Sequence, residues 1–231
     1  LALGYRDGRV SVVESRTGDE VLAPRPIDDY PCCVGALVWS PDGTRLHVGG
    51  QDGTVRTFDT TTWKVIGEHL LAEGLFSLRY STVSTDGTTI VVPAESGEVF
   101  LLDASSGEPI GEPFFAAGTQ LQTATFVADG TRLVAEGRDG TMRIWDVATR
   151  RSIGPALGGH VEWVAAMEAI GPSTVITGGA IDQSLMTWDF DPDTWFDRAC
   201  TLAGRNLTQT EWDAFVGGDY RATCEQWPSG A

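Results

Sequence analysis

The chain has 231 residues, with 16 Lys and Arg against 32 Asp and Glu, so its formal charge is −16 at pH 7. An acidic surface repels phosphate backbones and anionic lipid head groups, so we expect no nucleic-acid partner and no membrane partner for this segment. No stretch approaches the ~20 apolar residues that a spanning helix needs, and no signal segment opens the chain. These features predict a cytoplasmic location.

An eight-residue pattern returns five times along the chain. Each copy begins with a turn pair, alternates apolar and polar residues and closes on an acidic residue. The closing acids lie 45, 44, 43 and 43 residues apart, at Glu14, Asp59, Asp103, Asp146 and Asp189. Five copies in so constant a register indicate an internal repeat.

Two further segments keep the same step in the middle copies. A second Asp-Gly turn precedes the pattern and an Ile-Gly pair follows it, at Asp42, Asp86 and Asp129 and at Ile66, Ile110 and Ile153. Asp-Gly favours tight hairpins because glycine adopts positive φ without steric cost. Each complete copy is therefore predicted to form four short antiparallel strands, and stacked units of this kind are typical of a β-propeller.

The repeats predict an all-β chain with five propeller blades. The expected boundaries are a partial blade at 1–31 and complete blades at about 32–73, 74–118, 119–158 and 159–190. The first copy begins at its second strand, so we expect upstream blades of the same chain before residue 1.

Helix signals replace the turn chemistry in residues 191–231, which we expect to form a helical extension packed on the last blade. Pro192 suits the first turn of one helix and Gly204 its end. Thr208 and Glu211 form a capping box that begins a second helix.

The cysteines leave two interpretations open. Cys200 and Cys224 lie in the same terminal segment and either pair as a disulfide or remain two buried thiols. Four cysteines without CxxC spacing and three histidines show no metal-ligand pattern, so we expect no metal and no cofactor.

Asn206 begins an Asn-Leu-Thr match to a glycosylation acceptor, a pattern short enough to occur by chance.

The repeats resemble the WD-repeat propeller family, named for the Trp-Asp pair that ends the third strand. Trp145–Asp146 and Trp188–Asp189 carry the pair in full, whereas Phe58–Asp59 and Leu102–Asp103 keep only the acid. The resemblance implies a buried polar network that orders the turn and the link between blades. Its members here are His160, Thr177, Asp182 and Trp188 in the last copy, with Asp139 and Trp145 in the copy before it.

The tail carries a second resemblance. "ACTLAGRNLTQTEWDAF", followed by "YRATC", resembles the ending of WD-repeat regions in long actinobacterial signalling proteins. In those proteins the propeller follows a STAND-type NTPase module. The resemblance implies that this segment is the C-terminal sensor or platform of a larger bacterial signalling or regulatory protein.

Non-catalytic protein–protein interaction is the function that these patterns favour, because a rigid ring presents its loops to partners. The expected partner-binding rim is the residue before each second-turn Asp or its equivalent, namely Arg6, Gln51, Glu95, Arg138 and Ile181. A propeller-fold hydrolase and a carbohydrate-binding propeller are the alternatives. GxSxG, HExxH and phosphate-loop motifs are absent from the sequence, so we expect no enzyme activity and no catalytic residue in this segment.

Overall fold

The structure is a computed structural model and describes residues 1–26, 34–71, 81–84, 86–116, 118–128 and 130–228. The chain divides into two compact units, Leu1–Thr187 and Trp188–Ala231, which we call the first and second units. No helix in the described part of the chain is long and apolar enough to cross a membrane.

The strands form five antiparallel sheets that follow one another along the chain. The first sheet contains β1 (Ala2–Gly4), β2 (Arg9–Val13) and β3 (Glu20–Pro26). The second contains β4 (Val34–Trp39), β5 (Arg45–Gly50), β6 (Thr54–Asp59) and β7 (Val65–Leu70). The third contains β8 (Thr82–Val83), β9 (Thr89–Pro93), β10 (Glu98–Asp103) and β11 (Phe114–Phe115). The fourth contains β12 (Leu121–Val127), β13 (Arg132–Gly137), β14 (Thr141–Asp146) and β15 (Leu157–Gly158), and the fifth contains β16 (Val164–Ala169), β17 (Thr174–Gly179) and β18 (Leu185–Asp189).

Each sheet is a meander, because neighbours in the sheet are also neighbours in sequence. The Asp-Gly turns make this connection, as at Gly53 and Gly140, which adopt φ of 77° and 71°. Within the described residues, three sheets have four strands, whereas the sequence predicted four complete copies. The fifth sheet has three strands because Asp191 caps a helix two residues after β18 ends.

Apolar side chains fill the space between consecutive sheets. Between the third and fourth sheets, Phe114 and Leu101 pack in one cluster with Leu133 and Trp145. The Phe114 and Trp145 rings meet edge to face, with centroids 6.2 Å apart. Burying a side chain of this size contributes about 1.5–3 kcal/mol, so a sheet is stabilised by covering its neighbour.

The first strands of four successive sheets surround one cavity of about 310 Å³. Its wall includes Ala36 of β4, Thr82 of β8, Thr123 of β12 and Ala166 of β16. Strands that converge in this way place the first strand of each sheet innermost and the last strand outermost. The first unit therefore has the blade arrangement of a propeller.

The second unit contains two helices, α1 (Pro192–Ala203) and α2 (Gln209–Phe215). The Asp191 side chain caps α1, and Gly204 ends it with a φ of 67°. The Thr208–Glu211 capping box begins α2 as predicted, with each side chain bonded to the other residue's backbone N–H.

A disulfide and a buried amide hold the second unit together. Cys200 and Cys224 are bonded, with Cα atoms 5.4 Å apart, so the alternative of two separate thiols is wrong. The Asn206 side chain is 2% exposed and donates to the carbonyls of Cys224, Trp227 and Pro228. A fully bonded, buried amide offers no nitrogen for glycosylation, so the acceptor match at Asn206 has a structural role.

Candidate functional site

The structure brings His160, Thr177 and Asp182 together at the base of the turn between β17 and β18. His160 Nδ1 lies 3.0 Å from Asp182 Oδ2, and its Nε2 lies 2.8 Å from Thr177 Oγ1. A carboxylate only accepts hydrogen bonds, so Nδ1 carries the proton that points at Asp182. His160 and Thr177 are 6% and 1% exposed, so the chain of bonds is shielded from solvent.

The Asp182 carboxylate ties the turn to the preceding link. It accepts hydrogen bonds from the backbone N–H of Ser184 at 3.1 Å and of Val161 at 3.3 Å. The Ser184 N–H, followed by the bonds from the His160 and Ser184 side chains, lowers the pKa of Asp182 well below its usual range. A Cβ at Gly179 would collide with both Asp182 and His160, so the network requires glycine at this position. A satisfied buried network of this kind makes the turn rigid.

The other predicted network residues are on the fourth sheet and on β18. Trp188 is on β18 and belongs to the second unit. Asp139 lies in the turn between β13 and β14, where it accepts from the Thr141 N–H at 3.1 Å. Trp145 is 2% exposed and lies in the core between the third and fourth sheets. Ala117, aligned with His160, is outside the described residues.

In the second sheet an arginine, rather than a histidine, bonds to the turn aspartate. The sequence analysis did not predict this pair. Arg56 on β6 is 7% exposed and places Nη2 2.8 Å from Asp52 Oδ2. Burial raises the pKa of Asp52, but the hydrogen bonds from Arg56 and Thr54 outweigh it and leave the pKa lowered. The fourth sheet repeats the pair more loosely, with Arg143 Nη2 3.9 Å from Asp139 Oδ2. The sequence does contain a signal for these pairs, because an arginine follows the turn aspartate by four residues in both copies.

A second buried histidine joins two sheets. His47 on β5 is 2% exposed, and its Nε2 lies 2.9 Å from the carbonyl oxygen of Ala104, beyond the end of β10. Its Nδ1 lies 2.9 Å from Thr57 Oγ1. Burial lowers the pKa of His47, and in the neutral ring Nε2 donates to the carbonyl while Nδ1 accepts from the hydroxyl. The bond fastens the second sheet to the third.

A buried carboxyl lies on the fourth sheet, at a position where two other sheets have glycine. Glu136 on β13 aligns with Gly49 on β5 and Gly178 on β17, and it is 0% exposed. Within the described residues, neither of its carboxyl oxygens has a hydrogen-bond partner. Burial, and then the charges of Asp139 and Asp182, raise the pKa of Glu136 to about 8. Glu136 is therefore mostly protonated at neutral pH.

The five predicted rim residues occupy equivalent turns. Arg6 lies in the turn between β1 and β2. In each of the other four sheets the turn between the second and third strands contains the rim residue, namely Gln51, Glu95, Arg138 or Ile181. Arg138 is exposed and its Nη1 donates to Gln120 Oε1 at 3.1 Å. Ile181 is 54% exposed. These turns share one end of the stack of sheets.

The side chains of His160, Thr177 and Asp182 bond to one another and to the backbone. Among the residues that the structure describes, no group of three or more His, Cys, Asp or Glu is arranged to hold a metal ion. The His160–Asp182–Thr177 arrangement contains the residue types of a catalytic relay, but its hydroxyl is buried and bonded. Its geometry orders a turn and a link between two sheets.

Comparison with known proteins agrees with this arrangement. The model of the family "WD domain, G-beta repeat" matches residues 26–59 and 117–146. No curated protein matches the sequence. A solved structure described as "Structure of U3-55K" is similar with a TM-score of 0.63 and 18% sequence identity, and the similarity covers 73% of this chain and 52% of that chain. The chain thus spans about half of that protein, and at this identity the similarity shows the fold. The shared fold shows that the first unit is part of a β-propeller, and the two matched segments are similar to WD repeats.

Proposed function

We propose that the first unit is a non-catalytic platform on which a partner protein binds, and that the partner contacts the turns carrying Arg6, Gln51, Glu95, Arg138 and Ile181. WD repeats in general suggest protein–protein interaction scaffolds. The observation that carries the proposal is that buried side chains anchor two of these turns. The turn aspartates Asp52 and Asp182 are each bonded to a buried side chain, so the residues before them, Gln51 and Ile181, are held in place before a partner arrives.

The same contacts support a platform over an enzyme. A nucleophile must reach its substrate, and the Thr177 hydroxyl is 1% exposed and bonded to His160. The net charge of −16 supports a protein partner with a basic surface over nucleic acid, because like charges repel phosphates.

We also propose that this segment is the C-terminal sensor or platform of a larger bacterial signalling protein, working in the cytoplasm. The support is the resemblance of the tail and the absence of a membrane-spanning helix within the described residues. The Cys200–Cys224 disulfide weighs against the cytoplasm, since disulfides persist mainly in oxidising compartments. Alkylating thiols during rapid lysis measures the state of this pair, and a fully oxidised pair in living cells would contradict the cytoplasmic assignment.

Site-specific photocrosslinking tests the platform. A photoreactive amino acid replaces Arg138 in the full-length protein, and a matched control replaces Arg16, which is exposed in the turn between β2 and β3 at the opposite end of the sheets. We expect protein crosslinks from position 138 and not from position 16. In addition, Arg6→Glu and Arg138→Glu should each abolish co-purification of the crosslinked protein, while Arg16→Glu retains it. Partner binding that is indifferent to both rim changes would refute the rim assignment.

A further inference from the structure

Apolar side chains lie at the rim end of the fifth sheet. Val161 is 74% exposed in the link before β16, and Ile181 is 54% exposed in the turn between β17 and β18. Trp163, two residues after Val161, is half-buried. We call these three residues the rim patch. Exposed apolar side chains that lie together can mark a contact with another protein.

One carboxylate brings the two exposed residues of the rim patch together. Asp182, which directly follows Ile181, accepts a hydrogen bond from the Val161 N–H at 3.3 Å. The Ala180 N–H, on the other side of Ile181, donates to the Trp163 carbonyl at 3.2 Å. The turn and the link are therefore joined on both sides of Ile181.

The link is also packed against the fourth sheet. Gly140, in the turn between β13 and β14, has a φ of 71°. A Cβ at this glycine would collide with the carbonyl oxygens of His160 and Glu162, the two residues that flank Val161. The backbone of Val161 is thus held between two turns, so little ordering remains to be done when a partner binds.

The fourth sheet has polar side chains in the corresponding places. Trp163 corresponds to Gln120, because the Gln120 carbonyl accepts from the Arg138 N–H at 2.8 Å as the Trp163 carbonyl accepts from Ala180. Gln120 and Arg138 are exposed although the fifth sheet follows them, so exposure at this end does not depend on the position of a sheet in the chain. Ile181 is an additional residue, since the turn aspartate of the fourth sheet directly follows Arg138. The fifth sheet therefore has tryptophan in place of a polar side chain and adds an exposed isoleucine.

The surroundings of the rim patch are acidic. Residues 160–187 contain no Lys or Arg and three acidic residues, Glu162, Glu168 and Asp182. Glu162 is exposed in the link. The Ser184 N–H and the other hydrogen bonds to Asp182 lower its pKa, so this carboxylate is ionised at neutral pH. Electrostatic complementarity therefore favours a partner with positive charge beside its apolar side chain.

We propose that the rim patch binds a segment of a partner protein in which a large apolar side chain lies beside Lys or Arg. The inference rests on the proposed platform function and gives it a partner chemistry. The apolar side chain covers Val161 and Ile181, and the neighbouring cation lies toward the Glu162 carboxylate. Trp163 suits such a contact, because tryptophan is enriched among the residues that contribute most of the binding energy of protein interfaces.

The test is a titration of the full ¹⁵N-labelled chain with the blocked tripeptide acetyl-Lys-Leu-Lys-amide. Two further peptides, acetyl-Lys-Ser-Lys-amide and acetyl-Glu-Leu-Glu-amide, separate the apolar contribution from that of charge. We expect the first peptide to shift the amide signals of Val161 and Ile181 and the indole signal of Trp163 in a saturable way. Each of the other peptides should shift them several-fold less at equal concentration. An equal response to either of them, or shifts confined to other residues, would overturn the proposal.

Two variants and a matched control sharpen the result. Ile181→Ser and Val161→Ser each remove an exposed apolar side chain and should weaken binding of acetyl-Lys-Leu-Lys-amide several-fold. Ile170→Ser makes the same change at a residue that is 59% exposed between β16 and β17, at the opposite end of the sheet, and should retain binding. Val161→Ser decides the question if Ile181→Ser loses its dispersed spectrum. Binding that both rim variants leave unchanged, or that Ile170→Ser weakens equally, would contradict the rim patch.

Failure of the rim patch can be distinguished from failure of the platform. Protein crosslinks from position 138 without peptide binding at the rim patch would refute the rim patch and leave the platform in place. Peptide binding at Val161 and Ile181 without crosslinks from position 138 would instead refute the assignment of Arg138 to the partner contact.

Discussion

Replacing Glu136 by glutamine should stabilise the protein at neutral pH and leave it almost unchanged in acid. Glu136 is fully buried without a hydrogen-bond partner in the described chain, and its pKa rises from 4.5 to about 8. In the unfolded chain the carboxyl ionises near its ordinary pKa, so the folded state holds an extra proton between these two values. Stability from this group is therefore complete below about pH 4.5 and is lost as the pH rises toward 8.

The magnitude follows from the size of the shift. One pKa unit corresponds to about 1.4 kcal/mol, so the wild-type free energy of unfolding should fall by about 3 kcal/mol between pH 4.5 and pH 7 because of Glu136 alone. Glu136→Gln keeps the shape of the side chain and cannot ionise. The difference in unfolding free energy between variant and wild type should therefore grow by about the same amount over this range.

Urea denaturation followed by circular dichroism at several pH values measures this difference. The matched control is Glu20→Gln, which makes the same substitution at an exposed position at the start of β3. If Glu136→Gln and wild type keep a constant separation from about pH 4.5 to pH 8, the carboxyl is not held neutral by burial and the reasoning fails.

Three further changes test other contacts. Arg56→Met removes the cation from Asp52 and should cost about 1–3 kcal/mol in urea denaturation, because a half-buried carboxylate loses its donor. The lowered pKa of His47 means that the unfolded chain takes up its proton first, so the thermal midpoint should fall as pH drops below 6.5, and less so in His47→Gln. Cys200→Ser opens a loop with a sequence separation of 24 and should destabilise the second unit by about 3 kcal/mol, measured by denaturation without reductant.

Each of these has a control within the chain. Arg9→Met breaks the exposed pair with Asp7 at 2.8 Å and should cost less than about 1 kcal/mol, so a larger loss than from Arg56→Met would show that burial is not the cause. An acid-induced decline of equal size in His47→Gln would assign that decline to other groups. Adding reductant should bring wild type close to Cys200→Ser, and an unchanged wild type would show that the disulfide contributes little.

The strands and turns of this protein follow from local sequence. Asp-Gly pairs such as Asp52–Gly53 favour tight turns wherever they stand, and alternation over six residues separates the two faces of a strand. The capping box of Thr208 and Glu211 is equally local, and the structure contains it as predicted. Because the repeat returns every 43 to 45 residues, these local signals also determine the blade architecture.

Contacts between sheets were not determined by the sequence pattern alone. The pattern marked His160 as a partner of a turn aspartate, but it did not show that Arg56 holds Asp52 in another copy. Nor did it show that His47 bonds a carbonyl 57 residues away, at Ala104. Periodicity places side chains on a face of a strand, but it does not say which atoms of the next sheet they meet.

The same distinction holds for the second unit and for the outer strands. Spacing left Cys200 and Cys224 with two interpretations, and only the approach of their Cα atoms to 5.4 Å decided between them. Likewise, the Ile-Gly pairs mark the outer strands, while the stacking of sheets decides that Arg150, after β14, donates to the Ile110 carbonyl of the neighbouring sheet. Turns and strands depend on energies within a few neighbouring residues, whereas buried pairs depend on the positions of whole sheets, which exist only after the chain has folded.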